Sequence, residues 1–352
     1  MKNKNYIGEL DFLKFIMALV IMFMHIAQSN AAENEILKMG GFAVEFFFIV
    51  SGYFMCCSAA KMEGIQDDIG KDTISFLWKK FKTIMIPYLF AYIAYFCIWL
   101  CSTGKDVVMN DGKIEFINQV LVYVADCLLL CMSGLFADTI MLKLTWYISA
   151  MLLAMLLIYP MVRLWGQKFR LIVAPAVAIF STGYIYMDQG QYKHISERVG
   201  FTTGGMWRAV IGLCIGCMVY EFANYLKSIE MKNCMKIFLS VCNAGLLGIT
   251  FYIFIYGDKK VGFIMPTVFF FLISIVASKQ NILSNRFDNK LCKTLGAWSM
   301  YIYLIHGVAR KLIYKLYPNI SLGKAYLSIC SLTVVLVFFI NLIDLKVKRK
   351  DS

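Results

Sequence analysis

From Leu144 to Val162 the chain runs without a single charged side chain, and Ala209 to Tyr220 joins its apolar neighbours into a second run of similar length. At about 1.5 Å rise per residue, each is long enough to cross the hydrocarbon core of a bilayer as a helix. Lipid offers no hydrogen bonds, so a spanning backbone must satisfy its own, and these runs are far longer than barrel strands. The spans are therefore helices. With 60% hydrophobic and 16% charged residues, the chain lies outside the range of soluble domains. The predicted class is all-α, a polytopic membrane helix bundle.

Apolar windows predict ten spans, near 11–29, 40–60, 83–102, 145–164, 170–187, 205–225, 237–256, 262–278, 295–316 and 324–345. An eleventh window, 117–134, carries Asn118, Gln119 and Asp126. With ten crossings, one side collects Lys71, Lys79, Lys80, Lys82, Arg163, Lys168, Arg170, Lys227, Lys232, Lys236 and the 279–293 loop. Lys2, Lys4 and the tail 346–352, with Lys346, Lys348, Arg349 and Lys350, fall on that side too. An eleventh crossing would scatter this set, so 117–134 is read as a re-entrant or interfacial segment on the outer side. Both termini are then expected to be cytoplasmic. Residues 1–352 read as one membrane-embedded domain with no appended soluble domain. The net charge of +13 is distributed as a topology signal, and a nucleic-acid partner is not expected. A signal-peptide reading of the N-terminus is opposed by Asp11, Lys14 and His25 inside its apolar stretch. The twelve cysteines lie mostly within apolar runs and read as packing, with no metal site expected.

An ionisable group inside a spanning helix costs roughly 2.5 to 3.5 kcal/mol, so each one needs a reason. Lys14, Ala18, Ile21 and His25 share one face of the first span, with Asp11 about 60° round the same side. In the second span Gly41, Glu45, Phe48 and Gly52 share a face, and the glycines admit a neighbouring helix close to the carboxylate. His25 and Glu45 are most simply reconciled if they meet inside the bundle. Such a pair serves either as a general base, with the carboxylate stabilising the imidazolium, or as a polar contact that sets helix packing. His306, in the ninth span near Tyr301, Tyr303 and Arg310, either bonds neighbouring backbone or lines the same cavity. His194, in a loop with Asp188, Lys193, Glu197 and Arg198, reads as a surface residue. Lys79, Lys80 and Lys82, followed by Pro87 and Tyr88, would attract phosphates of lipid or of a nucleotide-bearing donor. Trp146, Tyr147, Trp207 and Arg208 open two spans at the outer interface, where aromatic residues form a belt.

Taken in order, several of these segments resemble the bacterial membrane acyltransferase 3 family across nearly the whole chain. Leu10-Asp11-Phe12-Leu13-Lys14 followed by His25 is similar to its first-span signature, with lysine in place of arginine. Gly41 to Phe47 leading to Ser51-Gly52-Tyr53-Phe54 resembles its acidic-Phe-Phe and Ser-Gly-aromatic motif. Trp146 to Ala150, Arg208 to Gly216 and Ser299 to His306 resemble three later motifs. The resemblance implies ten core helices, an acyl-CoA donor, acetyl-CoA above all, on the cytoplasmic side, and a saccharide or lipid-linked glycan acceptor at the outer leaflet. It implies His25 as base toward the acceptor hydroxyl, with Glu45, Lys14 and Asp11 in the catalytic set. Lys79, Lys80, Lys82 and Tyr88 would bind the donor, and Trp146, Tyr147, Arg208 and His306 the acceptor. A proton-coupled transporter or acyl-group carrier is the competing class, since ten helices with a buried His and Glu would serve it too.

Overall fold

The computed structural model describes residues 6–29, 37–64, 68–110, 112–133, 144–187, 195 and 197–350. Lys2, Lys4, Asp188, Lys193 and His194 lie outside them. The helices are α1 (Gly8–Ser29), α2 (Ala43–Ala59), α3 (Ile69–Trp99), α4 (Lys105–Asn110), α5 (Gly112–Cys127) and α6 (Thr145–Lys168). They continue with α7 (Ala174–Tyr186), α8 (Gly204–Ser228), α9 (Asn233–Tyr256), α10 (Ile264–Ser278), α11 (Lys290–Leu316) and α12 (Leu322–Lys350). One short antiparallel pair, Arg198–Val199 with Thr202–Thr203, precedes α8. The chain is thus an all-α bundle.

Among the described residues, eight helical stretches are long and apolar enough to cross a membrane. One of them, Thr145–Tyr186, is two crossings. It breaks at Gly166, whose φ of 51° and ψ of −126° lie outside helical space and favour a residue without a Cβ. Trp146, at the start of α6, and Tyr184, at the end of α7, both lie against the start of α8, so α6 and α7 form a hairpin. The tenth crossing is α11, less apolar by composition but laid along α1 from end to end. Gly8 N–H donates to Asp288 at 2.9 Å at one end, and Tyr314 donates to the Ile26 carbonyl at 3.2 Å at the other. The two helices therefore run in the same direction. Ten crossings put Gly8 and Lys350 on one face of the bundle, called here the terminus face. Where a separate tail is expected from 346 onward, α12 simply continues through Lys350.

At the opposite face α5 is 16 residues long, about 24 Å as a helix. It is tied down by polar bonds rather than left to lipid. Tyr88 of α3 donates to the Cys127 carbonyl at 2.8 Å, and Tyr92 to the Tyr123 carbonyl. The Asp126 carboxylate, buried, accepts from Thr145 at 3.3 Å, and Ser149 donates to the Leu129 carbonyl at 2.6 Å. Of the polar residues that set this window apart in the sequence, Asp126 is thus held inside, while Asn118 is exposed and Gln119 donates to Glu115 one turn back.

The centre of the bundle is the contact of α2 with α8, made by glycines as the second-span pattern predicts. A Cβ on Gly52 would lie 2.4 Å from the Leu213 carbonyl oxygen, one on Gly216 2.3 Å from that of Ile49, and one on Gly212 2.4 Å from Phe48 Cβ. Between helices in lipid there is little hydrophobic drive, so van der Waals fit carries the association. By contrast α9 and α12 are mostly open to lipid, with about 22% of their apolar windows buried. A Gly216→Val substitution is expected to cost about 1 to 3 kcal/mol through overpacking against backbone. Thermal unfolding of the detergent-purified protein should show a midpoint lowered by several degrees, with Gly245→Ala, where a Cβ meets nothing, unchanged within a degree or so.

Candidate active site

His25 lies in the last turns of α1, half-buried, and its imidazole stacks on that of His306 from α11, ring centres 5.5 Å apart and planes 18° from parallel. Because α1 and α11 run in register, the first-span histidine and the late-motif histidine come to one level. His306 is fully buried and donates through Nδ1 to the Ile302 carbonyl one turn back, at 2.9 Å. That bond leaves Nε2 as the acceptor nitrogen, buried and without a hydrogen-bond partner among the described residues. The backbone that His306 bonds is that of its own helix, not a neighbour's, and its ring lies against His25. Arg310, four residues on, donates to the His25 carbonyl at 3.1 Å and to Ser29 Oγ at 3.0 Å.

Glu45 does not meet His25. Its carboxylate accepts from Nε of Arg208 at 2.6 Å, both side chains buried. The glycine contact between α2 and α8 explains the exchange of partners: it brings a full cation beside the carboxylate, while His25 faces α11. A guanidinium compensates a buried carboxylate better than an imidazole that is mostly neutral near pH 7. Arg208 also lies over the Trp146 ring, 5.2 Å from its centre. Trp146 and Tyr147, expected at an interfacial belt, are instead 5% and 3% exposed inside the bundle. Tyr147 packs on Phe48 at 4.7 Å and on Tyr303 at 5.5 Å, and its hydroxyl lies 3.3 Å from Ser51 Oγ. Tyr303 in turn packs edge-on to His306, with centroids 6.3 Å apart. A continuous row of rings therefore joins the His25–His306 stack to the Glu45–Arg208 pair.

Three turns down α1, toward the terminus face, Lys14 and Asp11 form an ion pair at 2.5 Å. Gly296 of α11 makes room for Asp11: a Cβ there would lie 2.4 Å from the Asp11 carboxyl carbon. Lys80 reaches the same place, close enough for its charge to act on Lys14. It falls in the inward series Thr73, Phe76, Ile84, Tyr88 and Ala91, spaced at three to four residues along α3. Lys79 and Lys82 are exposed, and Lys82 covers the Trp78 ring. Tyr88, grouped with these lysines in the sequence, is buried two turns away and spends its hydroxyl on α5.

Other charged residues of the bundle interior went unassigned in the sequence. Glu9, buried in the first turn of α1, accepts from the Asn243 amide at 2.7 Å and from Asn281 at 2.8 Å, which fastens α9 and the α10–α11 loop to α1. Arg163 binds Asp72 at 2.6 Å and Arg170 binds Glu221 at 2.5 Å near the terminus face. Spacing points to none of these partners, which come from distant helices. Arg310 had a signal: a charge in a span, on the same face as a histidine four residues earlier. For the central pair, removing either charge alone strands the other in the interior at about 3 to 5 kcal/mol. Glu45→Leu and Arg208→Met should each lower the unfolding midpoint strongly, and the double variant should lie about 2 kcal/mol or more above the sum of the two losses. Strict additivity in that cycle would show that the ion pair contributes nothing.

Comparison with known proteins places this arrangement. No curated protein and no solved structure matches the chain. The family profile described as acyltransferase domain, of the acyltransferase 3 type, matches residues 7–343. That match takes in α1 with His25 and Lys14, the α2–α8 centre, and α11 with His306. The chain belongs to this family of membrane acyltransferases.

Proposed function

We propose that the protein transfers an acyl group, acetyl first of all, from acyl-CoA on the terminus face to a hydroxyl of a saccharide or lipid-linked glycan at the opposite face. The observation that carries this reading is the placement of two unlike sites on one helix. Lys14 and Lys80 hold cationic charge at one level of α1, and the half-exposed His25 lies eleven residues further, about 16 Å along the axis. A donor with phosphates at one end and a thioester at the end of a long arm fits that separation. Phosphates would take Lys14 and Lys80, with Lys79 and Lys82 at the entrance.

At the other level, an imidazole nitrogen of His25 removes the acceptor hydroxyl proton as its oxygen attacks the thioester carbonyl. The tetrahedral intermediate collapses with loss of the thiolate, which takes the proton from His25 and leaves as the free thiol of CoA. His306 supports the His25 ring by stacking on it. Glu45 and Arg208 act as positioning residues through the ring row. Basic residues are concentrated on the terminus face, which supports a cytoplasmic location for it and for the donor in a bacterial cell membrane.

His25→Gln keeps a polar side chain and removes the base. Acyl transfer or hydrolysis with radiolabelled acetyl-CoA, measured on the purified protein in lipid, should fall by a factor of about 10² to 10⁴, with the unfolding midpoint held within a few degrees. Turnover undiminished in a folded His25→Gln protein would refute the mechanism.

A further inference from the structure

Among the described residues, cations set into this bundle are, Lys80 apart, matched by carboxylates. Lys14, Arg163, Arg170, Arg208 and Lys279 each meet an Asp or Glu oxygen within 3.5 Å. The end of the bundle around His25 breaks the rule. Arg310 contacts the His25 carbonyl and the Ser29 hydroxyl; Lys311 lies over the Tyr95 ring, 4.0 Å from its centre; Lys315 donates to the Cys101 carbonyl at 3.2 Å. All four partners are neutral, and among the described residues none of these three cations has a carboxylate.

A purely structural role explains part of this. Arg310 caps the C-terminal turn of α1, whose free carbonyls carry about half a negative charge. Half a charge does not balance both Arg310 and Lys311, and Lys311 faces Tyr95 of α3 rather than that turn, while the exposed Lys315 is open to solvent. Arg310, Lys311 and His25 are all half-buried, so each keeps a side open. Moreover, a proton taken up by His25 would add another positive charge next to Arg310. A base in such surroundings works against repulsion unless an anion arrives with the substrate.

We propose that this end of the bundle binds an acceptor that carries an anionic oxygen group, a phosphate or a carboxylate, with Arg310 and Lys311 as its counter-ions. The bound anion offsets the positive field and so lets His25 take the hydroxyl proton. It is not consumed: the proton still passes from hydroxyl to His25 to the departing thiolate. The proposal rests on the reading of His25 as base toward the acceptor, and it narrows the acceptor to acidic saccharides and sugar phosphates, lipid-linked ones included.

The test is binding, read without turnover. The full chain in phosphatidylcholine nanodiscs is titrated with methyl glucoside, glucose 1-phosphate and glucuronate while the unfolding midpoint is followed. At least one of the two anionic sugars should give a saturable rise, and the neutral one none. Arg310→Gln and Lys311→Gln should each weaken that anion by about tenfold or more, the loss of one charge-assisted contact. Lys311→Gln removes only a side chain resting on a ring, so it reports on the site even if Arg310→Gln fails to fold. Lys324→Gln, an exposed lysine at the start of α12, should leave the affinity unchanged. An equal response to methyl glucoside, or undiminished anion affinity in Lys311→Gln, overturns the proposal. So does a midpoint rise produced by phosphatidylglycerol in the nanodisc that sugar phosphate cannot add to, which would assign the cations to a lipid headgroup. Turnover of acetyl-CoA on the same samples is scored separately: its absence beside intact anion binding counts against the acyl-transfer reading and leaves the anion site standing.

Discussion

Helix α1 is clasped along its whole length by α11, two crossings that run the same way although nearly the entire chain separates them. Asp11 sits against Gly296 at one level, and His25 stacks on His306 at another. Tyr314 and Arg310 close the far end on the α1 carbonyls. Because the direction is shared, a given displacement along α1 has the same displacement along α11. The charged level and the imidazole level are thereby held at a fixed spacing. For the donor proposed above, gripped at one level and cleaved at the other, the pair of helices would serve as a ruler.

Around that ruler, polar chemistry in a lipid solvent is kept affordable by local compensation. Glu45 has Arg208, Asp11 has Lys14, Asp72 has Arg163, and Glu9 has two amides. Each arrangement joins a different set of helices, so the same contacts that neutralise charge also decide which helices are neighbours. The aromatic row from Trp146 through Tyr147 and Tyr303 to His306 fills the space between the central pair and the imidazoles. Packed rings make a low-dielectric surround, which raises the strength of the electrostatic interactions it encloses.

Much of this could be seen in the sequence, and what could not has a physical explanation. Ten crossings follow from apolar length, and the glycine face of α2 follows from helical spacing, because both are properties of a single segment. The direction of Lys80 was legible as well, since it continues the inward series of α3, yet grouping it with Lys79 and Lys82 hid the phase. Pairings are another matter. That Glu45 would choose Arg208 over His25 depends on α2 and α8 touching through Gly52, Gly212 and Gly216, a fact about two segments far apart in the chain. Trp146 and Tyr147 were placed at an interface by their position at the start of a span, and lie inside because α6 is surrounded at that end by α2, α8 and the turn after α5.

The distance in sequence between Glu45 and Arg208 has a consequence for biosynthesis. The two are 163 residues apart, and at 5 to 20 residues per second the ribosome needs roughly 10 to 30 s to reach the arginine after the glutamate has been made. For that interval α2 is without the cation that its carboxylate requires. It must wait protonated, near a headgroup, or in the shelter of the insertion machinery. The centre of the bundle can therefore form only once α8 has emerged.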